Sequence, residues 1–328
     1  MKITDIAKLA GVSPATVSRI INKSGYASKE SERKVLRVIK ETNYTPNSIG
    51  RNLRKANTRT LLALFPDLSN SLFSDIIDGM EKKASEYGYG LVVAQASGKE
   101  TEARYLAMLT SHSVDGYIPY INYCGAKRMN EICRHFPVVQ AGEADDAIHS
   151  SIVGGNTREA AREAVRFLLR KGRRRIAFIY NRNAVFSSPL RQAGYRQALE
   201  EWDVPYDPAL SIEGERSHAD AYRACVRAMA LSSPPTAYFC TSDDMATGVI
   251  RALVDRGLRV GEDADVIGCD NTSLAENYLP SITSIAGPST DIGASAVELL
   301  MEKINDPDSV IKKIIMPYRL VVRQSAHE

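Results

Sequence analysis

Residues 3–22 read ITDIAKLAGVSPATVSRIIN, and this stretch predicts two short helices joined by a tight turn. Thr4 is placed to cap the first helix, Gly11 supplies the turn, and Ser13 caps the second helix. Pro14 begins that second helix, a position where its missing N–H does no harm. The two helices face each other through the apolar side chains of Ile6, Ala7, Ala10, Val12, Val17, Ile20 and Ile21. The pattern is typical of a helix-turn-helix.

A third helix is predicted to follow from a cap at Ser28, with Val35, Leu36 and Ile39 as its buried stripe. The three helices would form a small all-α head over residues 1–45. Their packing leaves the N-terminal part of the second helix exposed. In a DNA-binding helix-turn-helix, this is the part that enters the major groove.

The exposed residues of the second helix are of types that suit DNA. Thr16 and Ser18 can bind phosphate oxygens, Arg19 can donate two parallel hydrogen bonds to guanine, and the Ala15 methyl can touch a thymine methyl. For any one of them, ordinary helix surface is the alternative. Charge supports the DNA interpretation, because residues 1–60 hold 13 of the 42 Lys and Arg but only 4 of the 39 Asp and Glu. A basic head on an acidic body is expected where one end of a protein meets phosphate.

The composition of the 328-residue chain, 44% hydrophobic and 25% charged, is that of a globular protein with more than one domain. The five cysteines form no C-x-x-C pair and are expected to be reduced thiols. No apolar run reaches the ~20 residues that a membrane helix needs, and the first residues lack the apolar core of a signal peptide. We therefore expect a cytoplasmic protein.

From residue 60 onward, short apolar runs alternate with amphipathic stretches. The predicted strands are Leu61–Phe65, Leu91–Ala96, Gly116–Tyr120, Val138–Ala141, Arg175–Tyr180, Thr236–Cys240 and Ala264–Cys269. The predicted helices are Ser71–Tyr87, Glu100–His112, Thr157–Lys171, Pro189–Trp202, His218–Leu231, Asp243–Arg256 and Thr290–Asn305. Strict alternation predicts parallel sheets with helices on both faces. The length of this region predicts a two-lobed α/β body over residues 60–328, joined to the head by a linker over residues 46–59.

Enzyme signatures are missing from the body. The sequence contains no G-x-S-x-G, H-E-x-x-H or P-loop motif, and no G-x-G-x-x-G follows the first strand. The five histidines show no metal-ligand spacing. We therefore expect no catalytic residues, no metal site and no cofactor.

Several motifs of the head belong together: ITDIA at 3–7, GVS at 11–13, ATVSR at 15–19, Asn22, and YTPN at 44–47. They closely resemble the LacI/GalR family of bacterial repressors, and matches in the body extend the resemblance over essentially the whole chain. The resemblance implies a sequence-specific repressor. Its DNA contacts would be made by Thr4, Ser13, Pro14, Ala15, Thr16, Ser18, Arg19, Asn22, Tyr44, Asn47 and Leu53.

The linker is predicted to fold only on DNA. Residues 47–55 are too few for an isolated helix, which needs ~12–15 residues, and Gly50 costs a helix a further ~1 kcal/mol relative to alanine. In the family resembled, this segment is a hinge helix that forms on the operator, pairs with its dimer mate and inserts a leucine into the minor groove. Leu53 occupies that position, with a packing contact to the body as the alternative. A ligand that reorients the two subunits would then change DNA affinity.

The body resembles the periplasmic sugar-binding-protein fold that the family uses as its effector domain, at PD 66–67, RQAGY 191–195, DDMA 243–246 and VIGCDN 266–271. Ligands of such folds sit beyond the carboxyl ends of strands. The implied effector residues are Leu72, Phe73, Glu143, Arg191, Phe239, Asp243 and Asp270. Among them, arginine and aspartate suit the hydroxyls of a polyol and an aromatic face suits a sugar ring. Asp243 has helix capping as its alternative role.

Two glycine-containing segments depart from the family pattern. Gly154-Gly155-Asn156 stands where relatives commonly carry an aspartate before the asparagine, and Gly287-Pro288 replaces a common glutamine-proline. The loss of these polar groups changes what the cleft can hold. A sugar or sugar phosphate is the leading effector, followed by a nucleoside or purine.

The combined prediction is a homodimeric repressor on a pseudo-palindromic operator, released when a small effector changes the closure of the two lobes. In one alternative the effect on operator affinity is the opposite, and a corepressor or a partner protein strengthens operator binding. A remote alternative is a solute-binding protein or an enzyme with a fused basic head.

Overall fold

The structure, a computed structural model, describes Met1 and residues 3–22, 25–42, 57–142, 144–181, 187–214 and 217–327. The chain divides into two compact units, Met1–Thr58 and Arg59–Glu328. Four residues predicted to bind DNA or effector, Tyr44, Asn47, Leu53 and Glu143, lie outside the described residues, as does most of the linker.

The first unit contains three helices, α1 (Ile3–Ala10), α2 (Pro14–Asn22) and α3 (Lys29–Thr42). Their shared core consists of Ile6, Ala7, Ala10, Val17, Val35 and Val38. Two of the three predicted caps are confirmed, because the Thr16 N–H donates to Ser13 Oγ at 3.1 Å and the Ser31 N–H donates to Ser28 Oγ at 3.2 Å.

The turn after α1 has a left-handed residue at Gly11, with φ of 64°. The N–H of Val12 donates to the carbonyl of Ala7 at 3.0 Å, as in the motif that commonly ends a helix at a glycine. The predicted turn residue is thus explained by its backbone conformation.

Two predictions for the head are wrong. Helix α1 begins at Ile3, so Thr4 is its second residue and not its cap. Leu36 is 52% exposed, and Val38 lies in the core beside Val35 instead. Positions three apart share one face of a helix, whereas neighbouring positions do not.

The second unit alternates strands and helices, and the fold class predicted from the sequence is confirmed. In chain order its elements are β1 (Thr60–Phe65), α4 (Leu72–Glu86), β2 (Gly90–Gln95), α5 (Lys99–Thr110), β3 (Gly116–Pro119), α6 (Ala126–Cys133), β4 (Val139–Ala141), β5 (Ser151–Gly155), α7 (Thr157–Arg170), β6 (Ile176–Asn181), α8 (Ser187–Glu201), β7 (Ser211–Gly214), α9 (His218–Met229), β8 (Ala237–Cys240), α10 (Asp243–Val254), β9 (Asp265–Cys269), α11 (Ser273–Asn277), β10 (Thr283–Ala286), α12 (Ser289–Asn305), β11 (Lys313–Met316) and β12 (Arg319–Val321).

These strands build two lobes. In the first lobe, parallel strands run in the orders β2-β1-β3 and β11-β5-β4. The Tyr117 N–H joins the two groups by donating to the Pro137 carbonyl at 3.0 Å. The second lobe is one sheet in the order β12-β10-β9-β8-β6-β7, parallel except for β12.

Among the described residues the chain passes between the lobes at three places: between β5 and α7, between β10 and α12, and between β11 and β12. We call these the first, second and third crossovers. The first and third are tied together, because the Asn156 N–H donates to the Met316 carbonyl at 3.1 Å. Both glycine departures from the family pattern lie at crossovers.

Strands β5, β7, β10, β11 and β12 and helices α6 and α11 were not predicted from the sequence. Their segments are short, three to eight residues, so each offers too few positions for a periodic pattern to be recognised. None of the described helices is both long and apolar enough to span a bilayer.

Candidate functional site

The first candidate site is the exposed surface of α2. Pro14 and Ala15 are exposed in its first turn and Arg19 is exposed in its last turn, while Thr16 and Ser18 are partly exposed. The Thr16 and Ser13 hydroxyls lie 2.9 Å apart, so the cap and a predicted phosphate ligand adjoin. On α1, Thr4 is also exposed.

An exposed aromatic residue in the head was missed from the sequence. Tyr26, in the segment before α3, is 89% exposed. A single exposed aromatic side chain is common on protein surfaces, so this exposure alone assigns Tyr26 no role.

The second candidate site is a cavity of about 140 Å³ between the two lobes of the body. It lies beyond the carboxyl ends of parallel strands, where open α/β sheets bind ligands. Of the seven predicted effector residues, Leu72, Arg191 and Asp270 line this cavity. The sequence did not point to the other polar and aromatic lining residues, which include Tyr120, Asp146, Thr157, Ser187, Ser289, Lys313 and Tyr318.

Arg191 and Asp270 face each other across the second-lobe wall of the cavity. Their side chains are 13% and 10% exposed, and Arg191 Nη2 lies 3.9 Å from Asp270 Oδ1. Arg191 Nη1 donates to Ser187 Oγ at 2.9 Å. A guanidinium and a carboxylate held in this way present a donor fork and two acceptor oxygens to one ligand.

The loop that carries Asp270 has an unusual backbone. Asp270 has φ of 94° and Asn271 has φ of 49°, a region that favours glycine. The Asn271 N–H donates to Ser284 Oγ at 3.0 Å. Such strained turns persist only where their surroundings hold them, and they cluster at ligand sites.

Asp243 holds that loop from below. Its carboxylate accepts hydrogen bonds from the Thr272 N–H at 2.7 Å, the Thr272 hydroxyl at 3.0 Å and the Ser284 hydroxyl at 2.5 Å. A Cβ at Gly268 would overlap the same carboxylate. Burial, and next the charge of Asp270, raise the pKa of Asp243 to about 7.

Asp243 is only 1% exposed and does not line the cavity, so the structure places it beneath the site. Its alternative role as a helix cap is taken by Ser242, whose Oγ accepts from the Met245 N–H at 3.2 Å. Asp243 is therefore a positioning residue for the loop of Asp270.

The two predicted phenylalanines also lie in the core behind the cavity. Phe73 is 2% exposed and packs against Tyr120, with ring centroids 4.8 Å apart. Phe239 is fully buried against Phe178, at 5.6 Å. The aromatic surface of the cavity, predicted to come from Phe73, is supplied by Tyr120 and Tyr318.

The first lobe adds an ion pair at the rim of the cavity. Lys313 Nζ lies 2.6 Å from Asp146 Oδ1, and both side chains are well exposed. Exposed pairs of this kind contribute little to stability. Their charges are nevertheless available to a ligand that reaches the rim.

Comparison with known proteins identifies relatives for both parts of the chain. The model of the family described as bacterial regulatory proteins, lacI family, matches residues 2–47, and that of a periplasmic binding protein-like domain matches residues 165–326. The HTH-type transcriptional repressor PurR of Vibrio atlanticus (strain LGP32) is 32% identical over 326 residues, which is 98% of each chain. Catabolite control protein A of Priestia megaterium is 31% identical over 329 residues, again 98% of each chain.

Solved structures show the same architecture. The lac repressor dimer bound to operator and the anti-inducer ONPF is 25% identical, with a TM-score of 0.89 over 100% of this chain and 99% of that one. The complex of the transcriptional regulator CelR with cellobiose is 27% identical, with a TM-score of 0.76 over 99% of each chain.

A helix-turn-helix head and a periplasmic-binding-protein-like body together define a bacterial DNA-binding regulator. The chain belongs to the LacI family of bacterial regulatory proteins. It is a DNA-binding transcriptional repressor regulated by a small-molecule effector.

Proposed function

We propose that this repressor acts as a cytoplasmic homodimer that binds a pseudo-palindromic operator and releases it when a sugar-class effector enters the interlobe cavity. In this proposal residues 1–45 form the DNA-binding domain, residues 46–59 form the hinge, and residues 60–328 form the body that binds the effector and dimerises. A lac repressor dimer on its operator is a structural neighbour over the whole chain, which supports this assembly.

For the DNA contacts, we propose base readout by Arg19 and Ala15 and phosphate contacts by Thr16 and Ser18. Their shared place on the solvent-accessible surface of α2 supports this assignment. We further propose contacts by the remaining predicted residues, Thr4, Ser13, Pro14, Asn22, Tyr44, Asn47 and Leu53.

For the effector, the paired and largely buried Arg191 and Asp270 are the observation that carries the proposal. Together they offer the directed donors and acceptors that vicinal hydroxyls need, and Leu72 adds an apolar contact. Asp243, Phe73 and Phe239 support these groups from the core. In this proposal the charged pairs of the body bind the effector, and the body catalyses no reaction.

A nucleoside or purine is the second candidate effector. The aromatic side chains of Tyr120 and Tyr318 line the cavity and could stack on a flat base. Arg191 and Asp270 would then pair with the carbonyl and ring N–H groups of that base.

The deciding experiment selects operator DNA from a random pool with the full chain and then measures operator affinity against sugars, sugar phosphates, nucleosides and purines. The expected result is a pseudo-palindromic site and at least a tenfold loss of affinity with one sugar-class compound. A nucleobase that produces the loss would favour the second candidate. Tighter operator binding with any compound would instead establish a corepressor. A chain that selects no DNA would overturn the proposal.

A further inference from the structure

The ring of Tyr318 lies in the third crossover, against glycines of the other two crossovers. A Cβ at Gly155 would overlap Cε2 of this ring, and a Cβ at Gly287 would lie 2.6 Å from Cε1. Neither glycine has a positive φ, so the backbone there would accept other residues. The ring, and not the backbone, therefore requires glycine at both positions.

The two glycines and the tyrosine belong to one wall of the interlobe cavity, because Gly155, Gly287 and Tyr318 all line it. Neither glycine carries a side chain, so the ring of Tyr318 fills the volume next to both. One aromatic side chain therefore forms the base of the cleft.

We propose that Tyr318 determines effector specificity by forming the floor of the cavity and limiting the effector to a single sugar ring. This inference rests on the proposed binding of the effector in this cavity. A cavity of about 150 Å³ holds one benzene ring, and ligand pockets commonly measure about 300–1,000 Å³. The cavity of about 140 Å³ is below that range and close to the first value, so it has room for about one six-membered ring, and we infer that a monosaccharide is the largest sugar it takes. A disaccharide such as the cellobiose bound by CelR needs more room.

The chemistry of the floor agrees with that class. Burial raises the pKa of Tyr318 to about 12, while the nearby charge of Arg191 and a hydrogen bond with the Thr157 side chain oppose the rise. The phenol is therefore neutral at physiological pH, with an apolar ring face and one hydroxyl. Such a floor complements the apolar face of a pyranose, whose hydroxyls then point toward Arg191 and Asp270.

A double-mutant cycle on the full chain tests the packing alone. We expect Gly155→Ala to lower the melting temperature by about 5 °C, because an added methyl overpacks the Tyr318 ring. Most of that loss should disappear in a Tyr318→Thr background. An equal loss in both backgrounds would overturn the assignment of Tyr318 as the neighbour that requires glycine.

A matched control for this cycle is Gly98→Ala. Gly98 has an extended backbone, with φ of 173°, and its Cβ would meet nothing within 4 Å. Its effect on the melting temperature should be the same in the wild-type and Tyr318→Thr backgrounds, since the stability changes caused by distant substitutions are additive.

Isothermal titration of the full chain tests the size limit, with glucose, galactose and ribose as one-ring probes and cellobiose, maltose and lactose as two-ring probes. We expect the wild type and Tyr318→Phe to bind at least one monosaccharide and no disaccharide. Tyr318→Thr should bind that monosaccharide at least tenfold more weakly and should gain a disaccharide.

Disaccharide binding by the wild type would overturn the size limit and leave the proposed sugar effector standing. If none of the proteins binds any of the six sugars, the sugar effector and the size limit both fail. The double-mutant cycle reports on the packing of Tyr318 in either case.

Discussion

Arg19 is the one candidate for guanine readout on α2, and its side chain is exposed. We expect Arg19→Ala to weaken binding to the selected operator about tenfold or more, since a bidentate base contact is worth about 1–3 kcal/mol. Binding to unrelated DNA should weaken much less. Fluorescence anisotropy with both DNAs measures the difference.

Arg33→Ala is the matched control, because it removes the same charge from an exposed position on α3. It should lower affinity for both DNAs by a similar small factor. If the two variants behave alike, Arg19 contributes charge and not base readout.

Asp243 makes stability depend on pH. Burial raises its pKa from the ordinary aspartate value of 3.8 to about 7 in the folded chain, so between those values unfolding releases a proton. The free energy of unfolding should therefore fall as pH rises from about 4 to about 7, by at most about 1.4 kcal/mol per pH unit. Below about pH 4 this contribution is fully present.

Denaturant unfolding across that range measures the effect. Asp243→Asn keeps one carbonyl acceptor, which can serve Thr272 or Ser284 but not both, and it cannot ionise, so its profile should lack this decline. Parallel profiles for the wild type and Asp243→Asn would show that the carboxylate does not titrate in this window.

The same residue scale shows what the sequence could and could not say about the effector site. Arg191 and Asp270 were identified because each stands in a recognisable motif, and both line the cavity. Asp243 stands in the equally clear motif DDMA, and Phe73 was predicted from the same resemblance, yet both side chains are buried in the core. A motif identifies the residue, whereas helix rotation and loop geometry decide which way it faces.

At the scale of elements, neighbouring helices approach through glycine. A Cβ at Gly79 of α4 would overlap the Thr290 carbonyl oxygen, and one at Gly293 of α12 would overlap the Ile76 carbonyl oxygen. The pairs α7–α8 and α9–α10 have the same arrangement at Gly194 and Gly248. These contacts let helices pack closely in the first lobe and on both faces of the second-lobe sheet.

Gly293→Ala tests this packing. The expected loss in free energy of unfolding is about 1–3 kcal/mol, because overpacking against a fixed carbonyl outweighs the gain of about 1 kcal/mol in helix propensity. Ser295→Ala on the same helix, with a partly exposed side chain, should change stability by less than about 0.5 kcal/mol. If Gly293→Ala leaves the free energy of unfolding unchanged or raises it, α4 and α12 can move apart without loss of stability.

The predicted elements were those with strong local signals. A serine cap directly precedes helix α2 and another directly precedes helix α3, and β1 is almost wholly buried. In contrast, β11 is half exposed and alternates only over four residues. It is a strand because Lys313 pairs with Ile152, which lies far away in the sequence. No local pattern encodes such a partner.

At the scale of the whole molecule, the effector site is made of both lobes. Leu72 and Tyr120 come from the first lobe, Arg191 and Asp270 from the second, and the crossovers supply its floor. A ligand that contacts both lobes stabilises one closure state over another, and only this difference can change operator affinity.

Asp270→Asn should therefore uncouple the repressor from its effector. We expect operator affinity without ligand to stay within about twofold of the wild type, while the ligand-dependent change in affinity falls at least tenfold. Asp263→Asn, which removes an exposed carboxylate paired with Arg259 in the same lobe, should leave the response intact. A normal response in Asp270→Asn would move the effector away from this cavity.

By itself, the sequence determined the helix-turn-helix, the alternating α/β body and two of the polar residues of the effector cavity. Caps, turns and hydrophobic periodicity act over a few residues, so they can be read along the chain. The tertiary structure alone decided that Tyr120 and Tyr318 face the cavity and that Phe73, Phe239 and Asp243 stand behind it. Those orientations depend on strand register and helix packing between segments far apart in the sequence, and these interactions form only when the chain folds.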